Sequence, residues 1–424
     1  MAQEQHRDAE ESPGSTIRFS ALGLTVFSVG LVLVSTLATL QLVRRPEVPS
    51  PTLNISPASD QAPAKPTAPI PPWGEFVEYD INLEQPDEYL GFELANTNRA
   101  PQWTFSGMDR AQARQLMLDS GVAPAAVSRA LSDQFSTMET GSVAVHPDAN
   151  LLGALSPEVR AKLYGRLGKL TGNPYMTCPF CYSRKSFQEW FGDHAQEIPG
   201  MAIARKLFYP RGDGVCFSDL EFLLRQLHSD DERMHILKLL SRQSAVLVRV
   251  RIRPNTDVEG LLNYWCCGAP LPDVQPLVES TARLPEGATI SLLYFLPKFA
   301  RERLYTFPML TWQPDPVMDC HWSTMNFFND PPDDRFTGTS NTVPYLKTNY
   351  VEVAQPDKYG DVILILNSSG KPVHSAVHLA DDIVFTKNGY NAAQPWMLMH
   401  LNDLLTRYTD DGPPKMLVYR KPSH

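Results

Sequence analysis

The sequence predicts an α+β protein with an N-terminal transmembrane helix, a mostly helical middle region and a C-terminal domain in which a helix packs on an antiparallel sheet. Three observations predict this. Phe19–Val43 contains no charged residue. Apolar residues recur at helical spacing between 106 and 170, with Leu163, Leu167 and Leu170 as one stripe. Three short β-type runs separated by turn residues follow one another from Tyr359 to Lys387.

The uncharged run, FSALGLTVFSVGLVLVSTLATLQLV, is long enough to span, because about 20 helical residues cross a bilayer core. It exceeds the apolar core of a cleaved signal peptide, and Ser35-Thr36-Leu37-Ala38 is a poor cleavage site. It is therefore expected as an uncleaved signal-anchor, with the membrane as partner. Arg7 and Arg18 before it nearly balance Arg44 and Arg45 after it, so charge alone does not orient it. The expected organisation is a tail over 1–18, a transmembrane helix over 19–43, a Pro-rich linker over 44–73, a mostly helical region over 74–240, a mixed α/β region over 241–310 and a C-terminal domain over 311–424. The linker is too poor in apolar residues to form a core.

Within 74–240, Ser106 is placed as cap of a helix over MDRAQARQLMLDS, a second helix over APAAVSRALSDQF, and Ser156-Pro157 at the start of a third. Residues 73–101 read as irregular. SAVLVRVRIR, 244–253, alternates as a strand, and DVEGLLNYW and PDVQPLVESTARL read as helices. ATISLLYFLP reads as a strand, QPWMLMHLNDLLTRY as one helix and PKMLVYR as a last strand.

The net charge of −9 without a basic run argues against nucleic acid as a partner. The six cysteines are too few for a disulfide scaffold in 424 residues. Pairing among Cys178, Cys181, Cys216, Cys266 and Cys267 stays open. No cofactor or metal is expected, since Cys178-Pro-Phe-Cys181 lacks regularly spaced partners for a four-ligand zinc site.

Asp319-Cys320-His321-Trp322 reads as a helix start with Asp319 as cap. Cys320 then lies in a first turn, where free N–H groups favour a thiolate. His374 stands on the second of the three β-type runs, far from Cys320 in sequence, as a nucleophile and its base commonly are. His378 shares the face of His374 and is the weaker rival. His321 is expected to be structural.

The segments DCHW, YGDVILIL and HSAVHLADDIVFTKNG resemble the NlpC-like cell-wall cysteine peptidases, a branch of the papain-like superfamily. The resemblance covers about 315–424. It implies a papain-like C-terminal domain with Cys320 as nucleophile and His374 as base. A third polar residue on the next strand should orient the base. Thr386 stands at the usual offset, whereas Asn388 has the better chemistry, so Asn388 is expected in that role with Thr386 as the alternative. The function implied is a membrane-anchored peptidase or amidase working through an acyl-enzyme. Cell-wall stem peptides are the implied substrate, with the soluble part on the extracytoplasmic side of a single-pass protein. The departure at the third residue motivates the other reading, a catalytically inactive relative serving as a membrane-tethered binding or scaffold module.

Overall fold

In the structure, a computed structural model, residues 70–95, 99–266, 272–309, 318–389, 393–408 and 414–422 are described. The described part starts on a strand, β1 (Glu75–Leu83), where the sequence reads as irregular. The WGEFVEYDINL segment carries too many charges for a buried strand, and the structure leaves much of β1 half-exposed. Next come β2 (Trp103–Phe105) and helix α1 (Arg110–Asp119). Asp109, not Ser106, caps α1: its carboxylate accepts the Gln112 N–H, and the Gln112 side chain returns to the Asp109 N–H. Short strands β3 (Ser136–Glu139) and β4 (Ser142–Val145) complete a sheet of order β2-β4-β3.

Helix α2 (Pro157–Leu167) is capped by Ser156, with Pro157 at its first position. Its buried Arg160 pairs with Asp219 at 2.7 Å, and the Tyr164 hydroxyl donates to the same carboxylate at 2.5 Å. Removing one partner of such a pair costs about 3–5 kcal/mol, because it strands a buried charge. Beyond it lie β5 (Phe180–Tyr182), β6 (Tyr209–Arg211) and β7 (Gly214–Phe217), in the order β5-β7-β6. Helix α3 (Asp230–Ser241), capped by Ser229, closes this region over one large apolar core.

Strand β8 (Gln243–Ile252) pairs antiparallel with β1 along its whole length and with β9 (Ala288–Ser291) at its far end. Between them lies α4 (Val258–Cys266), whose Trp265 is buried. The C-terminal sheet begins after α5 (Cys320–Met325). Its strands are β10 (Val351–Val353), β11 (Val362–Leu366), β12 (Pro372–Ala380), β13 (Ile383–Lys387), β14 (Trp396–His400) and β15 (Lys415–Arg420). They run in the order β10-β15-β11-β12-β13-β14 and every pair is antiparallel. The run read as one helix from Gln394 divides: WMLMH is strand β14, and only Leu401–Arg407 forms a helix, α6. Met and Leu carry helix propensity, but their burial on the two faces of the sheet overrides it.

The expected fold class requires correction. The described residues are mixed α/β, with 40% helix and 24% strand, in place of the expected α+β class with its mostly helical middle. Among the described residues no helix is long and apolar enough to cross a membrane. The run 19–43 lies outside the described residues. The middle holds β1 and two three-stranded sheets as well as helices. Strands of three or four residues such as WTF, FCY and YPR are shorter than any readable alternation, so pairing partners distant in sequence decide them.

Candidate active site

Side chains alternate across the C-terminal sheet. Val377, Leu379, Phe385 and Leu398 pack with Trp322 of α5 on one face. Ile363, Ile365, Ala376, Val384 and Met397 line the other. Helix α5 is held on the first face by Phe327 against Phe385, with ring centroids 5.2 Å apart, and by the Trp396 indole N–H donating to Ser323 Oγ at 2.9 Å. Its start is pinned by Asp319, whose carboxylate accepts the Trp322 N–H at 2.7 Å and the Gly338 N–H at 2.8 Å. Gly338 has φ +68°, a left-handed conformation that suits glycine.

The ladder between β12 and β13 runs from Ala380↔Ile383 to Val377↔Phe385. Beyond it Thr386 and Lys387 pair only with β14, so the two strands fork. Cys320 stands at this fork. Its sulfur accepts hydrogen bonds from the backbone N–H groups of Ser375 and His321. The Ser375 nitrogen is one bond from the His374 carbonyl carbon, so the thiol lies beside the backbone that carries the imidazole.

Alternation sends the His374 ring to the face away from α5, where its Nε2 lies 2.7 Å from Thr386 Oγ1. The Tyr408 ring stacks on it at 4.3 Å. Among the described residues Nδ1 has no hydrogen-bond partner. Ser375, on the opposite face, meets His321 Nδ1 at 2.9 Å, so His321 is built into the packing. His378 bonds the carbonyl oxygens of Lys358 and Asp381 through its two nitrogens. The Asn388 amide is directed at Met399 Sδ, 3.3 Å away. Of the two candidate third residues, Thr386 is the one that contacts His374.

The electrostatics keep this pair uncharged. Cys320 is 4% exposed, and burial, seconded by the neighbouring Asp319 charge, pushes its thiol up to about 12. The six-residue α5 is too short for a strong dipole to oppose this. His374 is fully buried, and burial holds it well below the usual imidazole range, helped by the charges of His321, Arg407 and Lys387. A thiolate–imidazolium pair would shift both groups the other way. Lys387, also buried, is lowered to about 8 by burial and donates to the Gly389 carbonyl at 3.0 Å.

Sequence reasoning missed Lys387, the Tyr408 cover and the Ser375 amide. A lysine ending a strand usually reads as solvated, and Tyr408 reads as the end of a helix. Among the described residues no cluster of three or more His, Cys, Asp or Glu is placed to hold a metal. No protein-family model matches the chain, and no curated protein or solved structure matches it either.

Proposed function

We propose that the chain is a cysteine peptidase or amidase, described here with its site covered. Cys320 would attack the carbonyl carbon of an amide while its proton passes to His374 Nδ1. The imidazolium would then protonate the leaving amine, and water would hydrolyse the thioester with His374 as base. One observation carries the reading. A fully buried imidazole, oriented by Thr386 through Nε2, has no partner for its second nitrogen among the described residues, and the next amide on its strand holds the thiol. The reading requires the tautomer with hydrogen on Nε2, donated to Thr386. The DCHW, YGDVILIL and HSAVHL motifs support it and suggest cell-wall stem peptides as substrate, which would place the reaction outside the cytoplasm. Catalysis requires Tyr408 to move, because neither reacting side chain is exposed.

The burial that keeps the thiol protonated favours a second reading, a binding module without catalysis. Soluble cell-wall fragments bearing stem peptides separate the two, with newly released amines as readout. The hydrolase reading expects release by the native chain, its loss in Cys320→Ala and in His374→Ala, and its retention in Cys266→Ser. Release that survives Cys320→Ala overturns it. So does no release combined with no labelling of Cys320 by a peptidyl thiol-directed probe, and the binding module then stands.

A further inference from the structure

The second thiol neighbourhood lies in the small sheet β5-β7-β6. Cys181 on β5 stands directly opposite Cys216 on β7, and the two sulfurs are 2.7 Å apart. Directly opposed residues hold their Cβ atoms about 4.5–5.5 Å apart, and disulfides span about 3.5–4.5 Å, so a small pucker of the ladder closes the bond. Cys216 is 1% exposed, whereas Cys181 is half-buried. Both line a small, partly open cleft together with Arg211, Arg407, Asp403 and Ser183. Cys178, three residues before Cys181, is exposed.

We propose that Cys181 and Cys216 are a redox-active dithiol that exchanges with a small zwitterionic disulfide, of the oxidised cysteine or glutathione class, that docks at the opening of this cleft. The exchange balances in two steps. The Cys181 thiolate attacks one sulfur of the small disulfide, forming a mixed disulfide and expelling one small thiolate. Cys216 then loses its proton to solvent or to that thiolate and attacks Cys181 Sγ. This closes the Cys181–Cys216 bond and releases the second small thiol. The chain is oxidised by two electrons and the small disulfide is reduced to two thiols.

The division of labour follows from the surroundings. The S–H of Cys216, donated to Cys181, lowers Cys181 to about 6 against its own burial, and the charges of Arg211 and Arg407 add to this. Burial holds Cys216 well above the usual thiol range, so it keeps its proton until Cys181 has reacted. Of the other titratable neighbours, Tyr182, Tyr209 and Tyr408 are raised by burial and stay neutral, and burial raises Cys178 as well. The arginines suit the carboxylates of such a ligand, and Asp403 suits its ammonium group.

The test uses the reduced full chain and oxidised glutathione as probe, with acid quenching, alkylation and peptide mass spectrometry. The proposal expects a Cys181–Cys216 crosslink on the folded chain, with more than about a tenfold loss of Cys181 labelling by iodoacetamide at pH 7. Cys216→Ser should trap glutathione on Cys181 and raise the pH midpoint of Cys181 labelling by about one unit or more. Cys178→Ser should close the crosslink as the native chain does. A crosslink that joins Cys178 instead overturns the proposal. Failure to form any crosslink on the folded native chain overturns it, as does a bond that can be reduced only after unfolding.

Discussion

The two thiol neighbourhoods are built from similar parts and titrate in opposite directions. Each places a buried or half-buried sulfur beside a strand of an antiparallel sheet, with hydrogen-bond donors in reach. At Cys320 the donors are two backbone amides, the adjacent charge is the carboxylate of Asp319, and the thiol is driven up. At Cys181 the donors are a second thiol and the Arg211 side chain, the adjacent charges are Arg211 and Arg407, and the thiol is driven down. Burial opposes ionisation in both places, so the donors and the sign of the nearby charge decide the outcome. Position at a helix start, which the sequence offers as the activating feature at Cys320, is too weak in a six-residue helix to matter.

The comparison can be broken most strongly at Trp322, which is fully buried between α5 and the sheet. Trp322→Ala should cost about 3–5 kcal/mol by urea denaturation. It should expose Cys320 to alkylation and leave the rate at Cys181 unchanged. Next in size is Thr386→Val, which among the described residues removes the only partner of His374 Nε2 and leaves both ring nitrogens unpaired. A loss of about 1–3 kcal/mol in urea is expected, with no effect on Cys181 labelling.

A third prediction concerns pH. His374 is a base whose folded value is depressed, so its contribution to stability is complete above the unfolded value near pH 6.5 and is lost as pH falls below it. The unfolding free energy from urea titration should therefore fall on acidification below about pH 6.5, by at most about 1.4 kcal/mol per pH unit from this residue. His374→Gln should flatten that slope, and His321, also depressed, should retain a smaller share of it. The smallest effect is expected from Arg407→Gln, which joins the two sites. Arg407 lies within range of both Cys181 and His374, and its side chain bonds the side-chain oxygens of Gln243 and Gln394. Its loss should raise the midpoint of Cys181 alkylation, and that of His374 titration by NMR, each by less than roughly one unit. A change at only one of the two would show that the sites are electrostatically separate.

Helices with side-chain caps were the most legible elements, because cap and periodicity are both local. Ser156-Pro157 marks α2 in the sequence and in the structure. The strand signals at 244–253, 362–366 and 383–387 were also readable, since their β-branched runs exceed four residues. The strand in WMLMH was not, because methionine and leucine favour a helix until packing on both sides of the sheet buries them. At the candidate site, Cys320 and His374 could be named from the sequence. Thr386 was only an alternative, and the choice between it and Asn388 depends on which side chain the β13 register turns toward β12.

By itself, the sequence determined the caps at Ser156 and Asp319, the β-branched strands, the acidic balance and the identity of the side chains able to carry thiol chemistry. These depend on spacings within a turn or two of chain. Only the tertiary structure decided which strands fork around Cys320, that Tyr408 covers His374, and that Cys181 meets Cys216 across a ladder. Each of these depends on residues brought together from distant parts of the chain, and burial and nearby charge then set how each group titrates.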